Sequence, residues 1–250
     1  MSTAAATARG EASRASLQDL DVVFVDLDQS RALIEREEAC TPRLSASDQL
    51  RADRLSDDPA RQTLWRGARI ATRIVLERTA GLEMRGAEFV IASGGRPTLG
   101  EGWPHFNVSH TASVALIAVC RSSPVGIDIE CRRTLSMSPD RRRRIVAAAA
   151  GLADGNAIDP ESDVDVLRAW VRLEAIAKAR GSGIGALLTE EGVIGGAARL
   201  AQNFEQCSLA TAALDVEAPY IAAIAADTLP VEISIRRFPV SAEALRDFLH

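Results

Sequence analysis

Apolar positions recur in two rhythms along this chain, short continuous runs and helical stripes. Val22–Leu27 is a β-branched apolar run that predicts a first strand. Ser45 or Ser47 can cap a helix carrying Asp48 in its first turn and Leu50 and Leu55 behind it, until Asp57-Asp58-Pro59 breaks it. From about Ala60 to Arg78, Leu64, Ala68, Ala71 and Val75 fall at helical spacing, and Gly81 ends the stripe. Glu88–Ala92 predicts a second strand, Ser93–Pro97 a turn, and Phe106–Thr111 a polar loop leading into an apolar strand from Val114 to Cys120. Val125–Glu130 is a further strand, and Pro139–Gly151 a helix capped by Ser138. After a loop from Ala153 to Asp163, Val164–Arg180 is a clear helix closed by Gly181. Strand-like runs at Ala218–Ala225 and Val231–Phe238 precede a short helix at Ala242–Leu249.

Composition narrows the class. Of 250 residues 47% are hydrophobic, enough for a substantial core in one large or two small domains. The formal net charge of -5 gives no whole-chain argument for nucleic acid. No apolar run reaches the roughly 18 residues of a membrane span. Cys40, Cys120, Cys131 and Cys207 are scattered, which suits reduced core thiols in a cytoplasmic setting better than a disulfide framework. Residues 1–16 are rich in Ala, Ser and Thr without an apolar block, and are expected to be a disordered lead-in rather than a secretory signal.

The candidate chemistry gathers around Val125-Gly126-Ile127-Asp128-Ile129-Glu130. In an extended chain alternate residues share a face, so Asp128 and Glu130 point together while Ile127 and Ile129 enter a core. Paired carboxylates resist ionising together unless a cation or shared proton intervenes. One reading is a strand end with two solvated acids; the other is an oxygen-ligand site for Mg²⁺ or Mn²⁺ with a phosphate-bearing partner. On the helix 164–180, Leu167, Trp170, Glu174 and Lys178 form one stripe, either a surface Glu–Lys pair or part of a site. Gly94, Gly95 and Arg96, with Ser109, His110 and Thr111, collect donors suited to phosphate.

Four stretches in this order resemble the 4′-phosphopantetheinyl transferases of the two-lobed Sfp type: Gly95-Arg96-Pro97, Phe106-Asn107-Val108-Ser109-His110-Thr111, Val125–Glu130, and Trp170-x-x-x-Glu174-Ala175-x-x-Lys178-Ala179-x-Gly181. The likeness covers roughly residues 40 to 190. It implies transfer of the phosphopantetheine arm of coenzyme A to a serine of an apo acyl or peptidyl carrier protein, with Mg²⁺ (or Mn²⁺) and release of adenosine 3′,5′-bisphosphate. By position, Asp128, Glu130 and Glu174 become the metal acids. Glu174 or a metal-bound water deprotonates the serine, and Lys178 neutralises phosphate charge. Gly95, Arg96, Ser109, His110, Thr111 and Lys178 hold coenzyme A, with Arg51 and Arg61 near its 3′-phosphate. Leu173 stands where the family has lysine, which would remove a cation near the phosphates. Arg96 keeps the charge of a usual lysine, and Arg141–Gly151 is alanine-rich where the family is aromatic.

The expected fold is α+β, with two similar lobes, 17–123 and 124–250, and the active site in the cleft between them. The expected protein is a cytoplasmic monomer that binds neither nucleic acid nor membrane. Two other readings compete: a degenerate coenzyme A-binding homologue without turnover, suggested by Leu173, and another Mg²⁺-dependent phosphate enzyme. Arg132, Arg133 and Arg141–Arg144 offer either a basic patch for docking an acidic carrier or a solvated helix start.

Overall fold

The computed structural model describes residues 19–91, 95–152, 158–182 and 209–250. The lead-in 1–16, Ser93, Gly94 and Cys207 lie outside the described residues. The fold is α+β. Strand β1 is Leu20–Asp26, and the Asp26 side chain then accepts from the N–H groups of Asp28 and Gln29, starting helix α1, Leu27–Cys40. Helix α2 is Ala46–Asp53 with a capping box between Ser45 and Asp48, and α3 is Pro59–Ala80. Then follow β2 (Val90–Ile91), β3 (Pro97–Thr98), β4 (His105–Thr111), β5 (Val114–Cys120) and β6 (Val125–Cys131). The second half adds α4 (Pro139–Ala149), α5 (Asp163–Arg180), β7 (Ala210–Leu214), β8 (Tyr220–Ala226), β9 (Ile235–Arg237) and α6 (Ala242–Leu249).

Four of these differ from the sequence pattern. Phe106–Thr111 is not a loop but most of β4, antiparallel to β5 in full register from His105–Cys120 to Thr111–Val114. The expected strands at 88–92 and 231–238 shrink to β2 and β9. Helix α1 was not expected at all.

Apart from the small β2-β3 pair, the described strands form two larger sheets, in the orders β4-β5-β1-β9 and β6-β8-β7. Their inner faces share an apolar layer: Val22, Phe24, Leu116 and Ala118 from the first meet Val125, Ile127, Ile129 and Ile224 from the second. The outer face of the first sheet carries Val23, Val25, Ile117 and Val119 against Ile70, Ala71, Ile74 and Val75 of α3. The outer face of the second carries Ile221, Ala223 and Ala225 against α5, with Ile145 and Ala149 of α4 behind. Alternation along each strand thus sends one set of side chains to the sheet–sheet layer and the other to a helix. The chain's end returns to the first sheet: β9 pairs parallel with β1, and Phe248 of α6 lies under Arg78 of α3. A cut at 123/124 would leave this returning segment on the far side from its partners. Among the described residues no helix is long and apolar enough to cross a membrane.

Candidate functional site

The site forms where the exposed edges of the two sheets run side by side. Strand β4 ends the first sheet and β6 ends the second. Instead of backbone pairing, side chains bridge the seam. Asn107 Oδ1 accepts from the Ile127 N–H at 3.0 Å, and Ser109 Oγ accepts from the Ile129 N–H at 3.4 Å. Residues 107 and 109 share one face of β4, so the polar positions that suggested a loop answer the unpaired donors of β6.

Helix α5 lies on the other face of β6, and a glycine sets how closely. A Cβ at Gly126 would stand 1.9 Å from the Ala175 carbonyl oxygen and 2.4 Å from the Ala179 nitrogen. Only a residue without a side chain admits this approach. It brings Glu174 and Lys178, one helical turn apart, over Asp128, the next residue on the face of Gly126. The Lys178 Nζ then lies 2.6 Å from Asp128 Oδ1, 3.0 Å from Ser109 Oγ and 3.2 Å from the Ile127 carbonyl. Ser109 Oγ donates to the same Asp128 Oδ1 at 2.7 Å. Asp128 is only 3% exposed, and its Oδ2 is buried without an N–H or hydroxyl donor.

The electrostatics are lopsided. Burial first, and the Asp128 charge second, push the Glu174 carboxyl up to about 7, although Lys178 pulls the other way. Glu130 adds a smaller repulsion, and its own carboxylate turns to Arg133. Among the described residues no three His, Cys, Asp or Glu side chains stand ready to hold a metal ion. As the side chains lie, the cations Lys178 and Arg133 occupy oxygens that the sequence reading gave to the metal.

A cavity of about 200 Å³ opens beside the cluster, lined in part by Trp65, Arg69, Thr72, Phe106, Asn107 and His110. Arg69 lies 5.3 Å from the Trp65 ring and 5.0 Å from that of Phe89, and pairs with Asp48 at 3.4 Å. Arg51 stacks 5.8 Å over the same Trp65. His110 is exposed at the mouth, yet neighbouring atoms still desolvate it. That desolvation, with the charges of Lys178 and Arg61, holds its pKa below the usual histidine value. His110 and Thr111 close the β4 strand next to this opening. No role fell to Arg69 or Trp65 in the sequence reading, and Gly126 and Asn107 entered it only inside the quoted motifs.

Arg96 has a different place from a free anion ligand. Gly95, at φ 76°, turns the chain so that Arg96 Nη1 donates to the carbonyls of Lys178 at 3.0 Å and Ala179 at 2.9 Å. It thereby caps the negative end of α5 and fixes the turn that carries Lys178. Leu173 also departs from the expected role. It is fully buried in the apolar layer that holds Ile145, where it serves packing.

No family model matches the chain. It is similar to the 4′-phosphopantetheinyl transferase HetI of Nostoc sp. (strain PCC 7120), 30% identical over 148 residues, which are 58% of this chain and 62% of that relative. The aligned part thus spans less than two thirds of the relative's length. This similarity agrees with the resemblance to the 4′-phosphopantetheinyl transferase superfamily carried by the four motifs.

Proposed function

We propose that the chain moves the 4′-phosphopantetheine arm of coenzyme A onto a serine of an apo carrier protein, releasing adenosine 3′,5′-bisphosphate. The observation that carries this reading is Asp128: a buried carboxylate held through one oxygen by Lys178 and Ser109, its other oxygen without an N–H or hydroxyl donor and the Glu174 carboxyl close enough to share a proton with the pair. An anionic oxygen without such a donor in a dry site is costly unless a cation or a shared proton arrives. A divalent cation held by Asp128 and Glu174, with Glu130 released from Arg133, would answer it, and the all-oxygen donor set suits Mg²⁺ or Mn²⁺. When bound, such an ion supplies positive charge against the pyrophosphate oxygens.

The chain's own residues supply the rest. The cavity beside His110 takes the nucleotide end of coenzyme A, with Arg51, Arg61 and Arg69 contributing positive charge and Trp65 an aromatic wall. His110, its pKa held low, offers a neutral ring N–H toward phosphate. Glu174, beside Asp128, stands where it can accept the serine proton. The serine Oγ–phosphorus bond forms while the bond from that phosphorus to the bridging oxygen breaks, and adenosine 3′,5′-bisphosphate leaves with that bridging oxygen. Lys178, fixed by Arg96 behind it, stands where charge develops on the leaving group. The reading of a binding protein without turnover drew on Leu173, which is buried and supplies no cation, and transfer to an apo carrier separates the two readings.

The test is incubation of a panel of apo acyl and peptidyl carrier proteins with the full chain, coenzyme A and Mg²⁺, read by intact mass. The expected result is gain of one phosphopantetheine by at least one carrier, abolished by chelator. No gain with any carrier or divalent cation would overturn the proposal.

A further inference from the structure

The chain carries its positive charge on arginine, with one exception. Arg133 pairs with Glu130, Arg142 with Asp163, and Arg144 with Asp140 at 2.8 Å, so the arginine run after β6 serves local ion pairs. Lys178 is the only lysine in the sequence. It is held at both ends. Arg96 donates to the carbonyls of Lys178 and Ala179 behind it. At the tip, the N–H donors of the ammonium meet Asp128 Oδ1, Ser109 Oγ and the Ile127 carbonyl.

Ser109 is the hub of this arrangement. A hydroxyl has one donor and two acceptor lone pairs. The Ser109 O–H donates to Asp128 Oδ1 at 2.7 Å, and its lone pairs accept from Lys178 Nζ at 3.0 Å and from the Ile129 N–H at 3.4 Å. All three are spent inside the protein. Ser109 is also only 7% exposed, and whereas Asn107, Val108 and His110 line the cavity beside the site, Ser109 does not. A hydroxyl that holds a phosphate needs a free donor and a path to the ligand. Its bonds and its burial leave Ser109 neither. Two of its partners are charged, which makes those bonds strong, and the third ties them to the backbone of β6. The lysine stem is long and flexible, so without that tie its tip would sample many positions.

We infer that Ser109 is a positioning residue and not a coenzyme A ligand: its hydroxyl pins the Lys178 ammonium and the Asp128 carboxylate to the edge of β6. The inference rests on the transfer reading and deepens it, since Lys178 and Asp128 are groups that reading uses. Ser109 touches no reacting atom. Losing its hydroxyl leaves the coenzyme A contacts in place and frees the amine, so the loss falls on turnover.

The experiment compares the wild-type chain with Ser109→Ala and with Ser109→Cys, which is similar in size but hydrogen-bonds weakly. Coenzyme A affinity is measured by titration calorimetry in Mg²⁺ buffer, and kcat on an apo carrier that the wild type modifies. Both variants should lose about tenfold in kcat, while the coenzyme A dissociation constant stays within about twofold. A second readout needs no turnover. Because Lys178 is the only lysine, a chain grown with lysine isotope-labelled at Cε gives a single side-chain signal by NMR. In both variants that signal should move and sharpen as the amine is released. A coenzyme A dissociation constant raised about tenfold with kcat unchanged would make Ser109 a ligand and overturn the inference. So would a lysine signal that stays in its wild-type position, or a Ser109→Cys chain with wild-type kcat. If Ser109→Ala does not fold, Ser109→Cys carries both measurements. If the wild type modifies no carrier, the transfer reading falls, and the lysine signal still decides whether Ser109 holds Lys178.

Discussion

Two of the ionic clusters buried among the described residues have opposite signs of imbalance. Behind α3, Glu77 accepts from Arg43 at 2.7 Å and pairs on its other oxygen with Arg85 at 2.5 Å. Burial pushes its carboxyl up, but hydrogen bonds from Arg85 and Arg43 outweigh burial and hold it below the usual carboxylate range. At the seam between the sheets, Asp128 and Glu174 share one lysine, Asp128 Oδ2 has no N–H or hydroxyl donor, and Glu174 rises to about 7. Burial acts in the same direction on Glu77 and Glu174. The count of cations around each acid decides the outcome. Two bases to one acid give a structural joint; two or three acids to one lysine give a site short of positive charge, which is what a metal and a phosphate-bearing substrate would use.

The sharpest way to break the comparison is Asp128→Asn. The amide still accepts from Lys178 and Ser109, so the fold should hold, but the acid excess disappears. Under the proposed reaction, transfer should fall by about a thousandfold, as for removal of a main electrostatic stabiliser. Single-turnover transfer at saturating coenzyme A measures it, and a rate within tenfold of wild type would refute the role of Asp128.

Glu77→Gln should do the reverse, leaving activity alone and costing stability. It strands the fully buried Arg43 beside the half-exposed Arg85. Removing one member of a buried pair costs about 3 kcal/mol. Because the folded pKa of Glu77 is depressed, its contribution is present above the ordinary carboxylate value of 4.5 and lost as pH falls through the lower folded value. Urea midpoints of wild type and variant should therefore differ most near neutral pH and converge in acid. A constant gap would detach the effect from this charge.

A smaller effect tests the geometry that makes the second cluster. Gly126→Ala would force a Cβ against α5 backbone, where no flexible side chain can yield. Overpacking of this kind costs about 2 kcal/mol. It should also move Lys178 off Asp128, lowering turnover out of proportion to the stability loss. Unchanged thermal stability would show that α5 has room to lift.

Much of this was legible before the fold. The shared face of Asp128 and Glu130 follows from strand periodicity, and that of Glu174 and Lys178 from helical periodicity. The caps at Ser45, Ser138 and Gly181 stand where the sequence put them. What was hidden depends on contacts far apart in the chain. Asn107 and Ser109 look like loop residues because their partners, the N–H groups of β6, are about 20 positions away. Arg96 looks like a phosphate ligand because the helix end it caps lies beyond residue 177. Helix α1 carries charge on many positions, so its apolar stripe of Leu33 and Ile34 is too short to read. Arginines give the weakest signal of all, since the same residue serves as a buried joint at 43, a cap at 96 and a solvent-facing groove wall at 132.

The finest distinction between the clusters is the sign of the pH effect on stability, and Glu174→Gln reads it directly. The folded pKa of Glu174, about 7, lies above its ordinary value of 4.5. Its favourable contribution is complete below 4.5 and is lost as pH rises through 7, because ionising it beside Asp128 burdens the folded state. Glutamine cannot ionise, so the variant escapes that loss. In metal-free buffer the two chains should have similar urea midpoints near pH 4.5 and diverge as pH rises, with the variant more stable by about 1 kcal/mol at pH 8 after allowance for solvent at a partly exposed group. Under the proposed reaction the same variant should lose turnover without losing affinity for coenzyme A. Stability gained where activity is lost marks an acid kept for chemistry rather than for the fold. A variant less stable than wild type at pH 8 would mean that Glu174 is paired as well as Glu77 is, and the contrast between the two clusters would collapse.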